Sequence, residues 1–447
     1  MAEPRRRPRA PRPAAPAATV EARILRLGTA GDGVAALPDG MPLYVPGALP
    51  GETVLAQPLA RRGDGMAATL DTVLSPSPDR VEPPCPHFGP CGGCTLQHWA
   101  GDPCDDWKRQ RLAVALARAG YAEAAVAAVL APVARTPPGT RRRADLALRR
   151  APDGGVSLGF FARGTGQLAA LRTCLVLDPR LVALFAPLRT LLRGLGALRR
   201  EGSAALNLLD TGPDLLLRTD APLDATARAA LAEFGRRHGL PRIAWAQGET
   251  GQPETAAQLS PVAIRLGAAT VAPPPGAFLQ ASPAGEATIR DAVLAGLPEK
   301  LPTRAKLADL YAGLGTLTFP LAARAPVVAY EGAAESIAAL QVAARQPGLR
   351  VTGLRRDLAR QPLRPAELDG FAAVVIDPPY AGAAEQAVQI ARSALRRVIY
   401  VSCNPAALSR DAKVLREAGF ALLAATPIDQ FLWSPHLEAV AVFARGN

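Results

Sequence analysis

The chain has 447 residues, 49% of them hydrophobic, with six cysteines and a mean hydropathy of +0.10. This excludes a disulfide-stapled scaffold and a chain disordered throughout, and the length allows two or three domains. Lys and Arg number 51 against 39 Asp and Glu, a formal charge of +12; arginine forks match phosphate oxygens, so a polyanionic partner such as RNA is favoured. The longest uncharged stretch, Gly267 to Gly285, contains Pro273, Pro274 and Pro275 and cannot be a membrane helix.

Residues 1–17 are rich in Arg and Pro and lack the apolar core of a secretory signal, so they read as a basic disordered tail of a cytoplasmic protein. Residues 18–77 alternate short β-type runs with Gly, Pro and Asp turns, the pattern of a small barrel. The run Leu43-Tyr-Val-Pro-Gly-Ala-Leu-Pro-Gly-Glu52 resembles a TRAM domain, an OB-like RNA-binding barrel.

Residues 78–275 form a mixed central domain that opens on CPHFGPCGGCTLQH, residues 85–98. Cys91 and Cys94 flank Gly92-Gly93, and glycines let such a loop curl and aim backbone N–H groups at sulfur. With Cys85 they make three ligands for a metal or cluster. His87, His98, Cys104 and Cys174 are candidates for the fourth, and both zinc with a histidine and a four-thiolate iron–sulfur cluster are open. The remainder mixes strands with helices at 178–196 and 223–238, and Arg141, Arg142 and Arg143 are placed to touch phosphates.

From 276 to 447 strands and helices alternate, which means a doubly wound α/β sheet. Lys306–Tyr311 is a strand, 312–316 a glycine loop, and the next strand ends in Glu331, an acid placed to bind a ribose diol. With Asp309 on the first strand, this loop looks like the S-adenosylmethionine site of class I methyltransferases rather than a dinucleotide site. DPPY, residues 377–380, ends the fourth strand, where such enzymes place the acceptor; it suits an amino-methyltransferase acting on an extruded base.

VSCNP, residues 401–405, supports a different chemistry. Carbon 5 of uracil attacks a methyl sulfonium only after a thiolate has added at carbon 6, and a base must then remove the carbon-5 proton. Cys403 ends a strand and Glu438 opens the last one, so one cysteine and one carboxylate are available for these roles.

From about residue 19 to the end the sequence resembles the RNA uracil-C5 methyltransferases of the TrmA/RlmD type. The resemblance rests on the TRAM-like run, CPHFGPCGGCTLQH, FLQAS, DLYAGLGTLTFPLA, VIDPP, VIYVSCNPAALSRD and SPHLEAV. It implies that Cys403 is the nucleophile and Glu438 the base, with Gln280, Tyr311, Thr316, Glu331 and Asp377 lining the cofactor and target pocket. It also implies a [4Fe-4S] cluster on Cys85, Cys91, Cys94 and Cys174, a ribosomal rather than transfer RNA target, and a monomer. The chain departs from the family where Ser282 replaces an Asn, Tyr380 an Arg, Thr316 a frequent Asn, and Phe431–Ser434 a Thr-rich approach to Glu438. The alternatives are an amino-methyltransferase working through DPPY and a non-catalytic RNA-binding protein.

Overall fold

A computed structural model describes residues 18–446; the expected basic tail, 1–17, lies outside them. The chain forms two compact units, one built from residues up to Pro83 with Thr95–Ala100, the other from Pro84–Cys94 and Gly101 onward.

The first unit is a six-stranded sheet in the order Val20–Arg23, Thr53–Arg62, Gly65–Ser75, Pro42–Val45, Gly33–Ala36, Arg26–Leu27. Its long hairpin, Thr53–Arg62 with Gly65–Ser75, shifts register between Thr53 and Val54, Leu55 and Ala56, and Pro58 and Arg61. Such bulges bend and twist paired strands, and the sheet curls around a core of Ile24, Leu43, Val45, Val54 and Ala56. Glu52, from the TRAM-like run, is fully buried. It accepts hydrogen bonds from the Leu49 and Ser77 main chain and from Arg80. Those bonds with the charge of Arg80 hold its carboxyl below the usual range, although burial pushes it upward.

The second unit holds a largely antiparallel seven-stranded sheet running from Leu168–Ala170 to Glu254–Gln258. Helices Phe185–Gly194 and Ala225–His238 contribute to its hydrophobic core. The helix expected at 178–196 is broken into Pro179–Val182 and Phe185–Gly194.

The same unit contains an eight-stranded sheet in the order Val351–Arg355, Val327–Glu331, Leu307–Leu310, Ala373–Ile376, Arg397–Ser402, Glu438–Ala444, Ala421–Asp429, Ala134–Arg135. The first five strands are parallel. Glu438–Ala444 is inserted antiparallel between Arg397–Ser402 and Ala421–Asp429. Near-continuous burial of LADL, AVVI and RVIYVS fits strands covered on both faces. The doubly wound expectation is met, and the carboxyl ends of these strands, where ligands bind in open α/β sheets, carry the glycine loop, DPPY and VSCNP.

Helix Gly101–Arg118 is not anticipated from the sequence. Its buried stripe, Cys104, Lys108, Leu112, Ala115 and Leu116, has helical spacing but includes a lysine, which breaks the apolar pattern. Lys108 is fully buried and pairs with Asp429 at 2.6 Å, and Arg111 of the same helix donates to the Pro435 carbonyl. The helix therefore braces the segment between the last two strands.

Candidate active site at the carboxyl ends of the strands

The first half of the site is the turn after Leu307–Leu310. Tyr311 follows with φ 64°, an unusual backbone for a residue with a side chain, and such strain persists only where the surroundings impose it. Gly315 has φ 94°, and a Cβ there would lie 2.5 Å from the Phe319 ring, so only glycine fits. Thr316 is half-buried beside it. Glu331 accepts from the Gly313 N–H at 2.8 Å through Oε2 and from the Ala333 N–H at 2.7 Å through Oε1. These bonds tie the loop to the next helix, and each carboxylate oxygen keeps a lone pair for a diol hydroxyl.

Asp309 lies beneath this loop, buried, with Oδ2 accepting from the Thr318 hydroxyl at 2.5 Å. Its Oδ1 has no hydrogen-bond partner among the described residues, and burial pushes its carboxyl up to about 7. A buried carboxyl oxygen without a donor calls for a cationic or N–H-bearing ligand. Together with Glu331 it forms a set of acceptors that fits the ammonium and ribose of S-adenosylmethionine.

The second half is built on the inserted antiparallel strand. Ser402 pairs with Ala439, and Cys403 and Glu438 adjoin this last pair of the ladder. Cys403 is half-buried; burial, then the charges of Glu438 and Asp377, push its thiol up to about 11. Asn404 caps helix Pro405–Glu417 by accepting from the Ala406 N–H at 3.0 Å, and donates through Nδ2 to the Tyr380 carbonyl at 2.9 Å. Asp411 of that helix accepts from the Ala383 N–H at 2.7 Å and the Tyr400 hydroxyl at 2.6 Å. DPPY is thus anchored to the VSCNP helix, while the Tyr380 side chain is 63% exposed.

A buried polar chain closes the site. Gln280 donates to Asp377 at 3.3 Å, Gln430 donates to Gln280 at 2.9 Å and to Glu438 at 2.9 Å, and the Ala281 N–H donates to Gln430 at 3.2 Å. Burial and the neighbouring Asp377 raise the Glu438 carboxyl, the Gln430 hydrogen bond opposing them, and burial raises Asp377. Ser282, which replaces the family's Asn, caps helix Pro283–Ala295 by accepting from the Gly285 N–H at 3.0 Å. Gln430 is the residue that sequence reasoning missed; nothing in the pattern around it marks it.

The structure brings Cys174 to the cysteine loop: Cys91 feels the charges of Cys174 and Cys85, and Arg141 those of Cys174 and Cys94. The other fourth-ligand candidates are engaged elsewhere. His87 accepts from the Arg172 N–H at 3.1 Å, His98 belongs to the first unit, and Cys104 is buried beside Lys108 and Asp429. Gly93 donates its N–H to Cys91 Sγ at 3.5 Å, as the glycine pair suggests. Among the described residues no group of three or more His, Cys, Asp or Glu is arranged to hold a metal ion. Burial raises the thiols of Cys91 and Cys174.

A model of the tRNA (uracil-5-)-methyltransferase family matches residues 298–445. An uncharacterized RNA methyltransferase of Caulobacter vibrioides is 41% identical over 432 residues, 94% of this chain and 99% of its own. The 23S rRNA (uracil(1939)-C(5))-methyltransferase RlmD of Pectobacterium atrosepticum is 35% identical over 439 residues, 97% of this chain and 95% of its own. The crystal structure of Pyrococcus abyssi tRNA (uracil-54, C5)-methyltransferase with S-adenosyl-L-homocysteine matches with a TM-score of 0.71 at 20% identity, covering 95% of this chain and 100% of that one; this is a likeness of fold. The matching family acts on carbon 5 of uracil, which overturns the amino-methyltransferase and non-catalytic alternatives. The chain belongs to the RNA (uracil-5-)-methyltransferase family.

Proposed function

We propose that this protein methylates carbon 5 of a uridine in 23S ribosomal RNA, in the cytoplasm, using S-adenosylmethionine, with Cys403 as nucleophile and Glu438 as base. The observation that carries the reading is the nearness of Cys403 to Glu438 at the adjoining ends of two paired strands, with Asp377 close enough to influence both. The ribosomal target rests on the likeness to the Pectobacterium enzyme along nearly the whole chain.

Tyr311, Thr316 and Glu331 would hold the cofactor, with Asp309 beneath and Gln280 and Asp377 at the border with the target base. S-adenosylmethionine, when bound, supplies an electrophilic methyl group on a sulfonium. The Cys403 thiolate adds to carbon 6, forming an S–C6 bond and moving the C5=C6 electron pair toward the oxygen on carbon 4. Carbon 5 uses that pair to take the methyl group, and the methyl–sulfur bond breaks with its electrons left on sulfur as S-adenosylhomocysteine. Glu438 then removes the carbon-5 proton, the C5=C6 bond re-forms and the sulfur leaves. Gln280 and Asp377 position the base, and the burial of Gln280 keeps water from the adduct.

Two further assignments belong to the same reading. The curled first unit is a TRAM domain that binds RNA, Arg141 and Arg143 of the second unit touch phosphates, and Cys85, Cys91, Cys94 and Cys174 hold an iron–sulfur cluster, supported by their spacing and by the approach of Cys174 to Cys85 and Cys91.

The target is tested by mapping 5-methyluridine in ribosomal and transfer RNA from cells with and without this gene. Loss of one 23S site is expected. Loss confined to transfer RNA overturns the ribosomal assignment, and no loss overturns the activity.

A further inference from the structure

We propose that Gln430 is an orienting residue that locks the side-chain amide of Gln280 with its NH2 directed to the target pocket, so that the pocket selects a base carbonyl over a base amine. The inference rests on the uracil-C5 reading of the site.

An amide side chain can present either its oxygen or its NH2 to a neighbour, and only its partners decide which. Here the decision starts from a group with no freedom. The Ala281 main-chain N–H can only donate, and it donates to Gln430 Oε1 at 3.2 Å. Gln430 Nε2 therefore points the other way, where it donates to Gln280 Oε1 and Glu438 Oε2, each at 2.9 Å. With its oxygen engaged, Gln280 presents Nε2, which donates to Asp377 Oδ2 at 3.3 Å. A carboxylate at one end and a main-chain N–H at the other agree on a single orientation of both amides. Turning either one over sets oxygen against oxygen or N–H against N–H in a site where both glutamines are at most 4% exposed, and each buried polar group left unmatched costs about 1–3 kcal/mol.

The backbones that carry the amides are fixed as well. Arg142 is buried and clamps the Gln280 segment, its Nε donating to the Gln280 carbonyl at 3.1 Å and its main-chain N–H to the Ala281 carbonyl at 2.9 Å. Gln430 follows Asp429, whose carboxylate is held by Lys108 at 2.6 Å and accepts the Phe431 N–H at 3.2 Å. Neither glutamine can slide to accommodate a wrong partner.

The second N–H of Gln280 and the oxygens of Asp377 are then an adjacent donor and acceptor beside Cys403. Uracil offers the complement, a carbonyl acceptor at carbon 4 next to the N3–H donor. Cytosine offers an amine donor next to an unprotonated N3 acceptor and meets each group with its like. Gln430 touches neither base nor cofactor in this scheme; it acts through Gln280.

The test uses the full-length protein and two unmodified 23S transcripts, one with uridine and one with cytidine at the mapped methylation position. Gln430→Met keeps the volume but removes both donors; Gln430→Glu keeps the acceptor for Ala281 and, assayed at alkaline pH where its buried carboxyl is ionised, removes the donors. The readout is the ratio of dissociation constants for the two transcripts, by filter binding with S-adenosylhomocysteine present. The expected result is a uridine preference in the native protein that falls about tenfold in either variant, the loss of one matched polar pair, with S-adenosylhomocysteine affinity kept within about twofold. Because Gln430 opposes the upward shift of Glu438, Gln430→Met should also move the rising limb of the rate–pH profile to higher pH. A ratio that stays at the native value overturns the proposal, including where binding of both transcripts weakens equally, since that is a structural role. Where Gln430→Met does not fold, Gln430→Glu decides alone. A native protein that makes 5-methyluridine but has no uridine preference overturns this inference and leaves the uracil-C5 reading standing; one that makes none overturns that reading instead.

Discussion

Cys403 comes directly after the Ser402–Ala439 pair that ends the antiparallel ladder, and Glu438 opens the neighbouring strand, close enough for its charge to push the thiol upward. Glu438 is 4% exposed and Cys403 half-buried. The two groups that would make and break the covalent intermediate thus sit at the adjoining ends of two paired strands. Replacing Glu438 by Gln should leave one methyl transfer intact and stop release. With ordinary uridine RNA the variant should accumulate an RNA–protein adduct on a denaturing gel, with multiple turnover down about 10²–10⁴-fold. Cys403→Ala should show neither adduct nor turnover, and an active Cys403→Ala protein would end the covalent reading.

The rate should rise with pH. Burial pushes the Cys403 thiol up to about 11 and raises Glu438 above the ordinary carboxyl range, so both are protonated at neutral pH, while each acts in its deprotonated form. Lowering the pH therefore removes active enzyme and raising it restores it. Multiple-turnover methylation measured between about pH 6 and pH 9 should climb without a descending limb; a profile flat across that range contradicts the assignment.

Lys108 and Asp429 form a buried ion pair at 2.6 Å, one residue before Gln430. Removing one charge leaves the other stranded, so Lys108→Met should destabilise by about 3–5 kcal/mol in urea unfolding. The double variant Lys108→Met with Asp429→Leu should recover most of that loss. Equal destabilisation in the single and double variants would mean that packing, not charge, holds this position.

Gly315→Ala places a Cβ 2.5 Å from the Phe319 ring at φ 94°. The strain should cost about 1–3 kcal/mol and displace the loop that Glu331 holds through Gly313. Calorimetry should show weaker S-adenosylhomocysteine binding; unchanged affinity would remove this loop from the cofactor site.

Protein purified without oxygen should be brown and carry about four irons per chain. Cys174→Ala should bleach it. Cys104→Ala should not, because Cys104 is buried beside Lys108 and Asp429 instead. A colourless sample containing stoichiometric zinc would overturn the cluster.

The alternation of strands and helices after residue 276, the glycine loop with its acid and the strand-end cysteine were legible because each is local: periodicity, turn chemistry and the carboxyl edge of a parallel sheet lie within short windows. The segments Val327–Glu331 and Arg397–Ser402 form strands where the pattern placed them. Helix Gly101–Arg118 was not legible, because its buried stripe includes Lys108, whose partner Asp429 lies more than 300 residues away in sequence. Gln430 was silent for the same reason: a glutamine has no pattern of its own, and its two donors and one acceptor acquire meaning only when Ala281, Gln280 and Glu438 converge on it. The sequence by itself determined which chemical groups the protein possesses and at which strand ends they sit. Only the tertiary structure decided which of them meet, because the antiparallel insertion of Glu438–Ala444 beside Arg397–Ser402 is a long-range pairing, and a buried hydrogen bond has a direction only once both partners are in place.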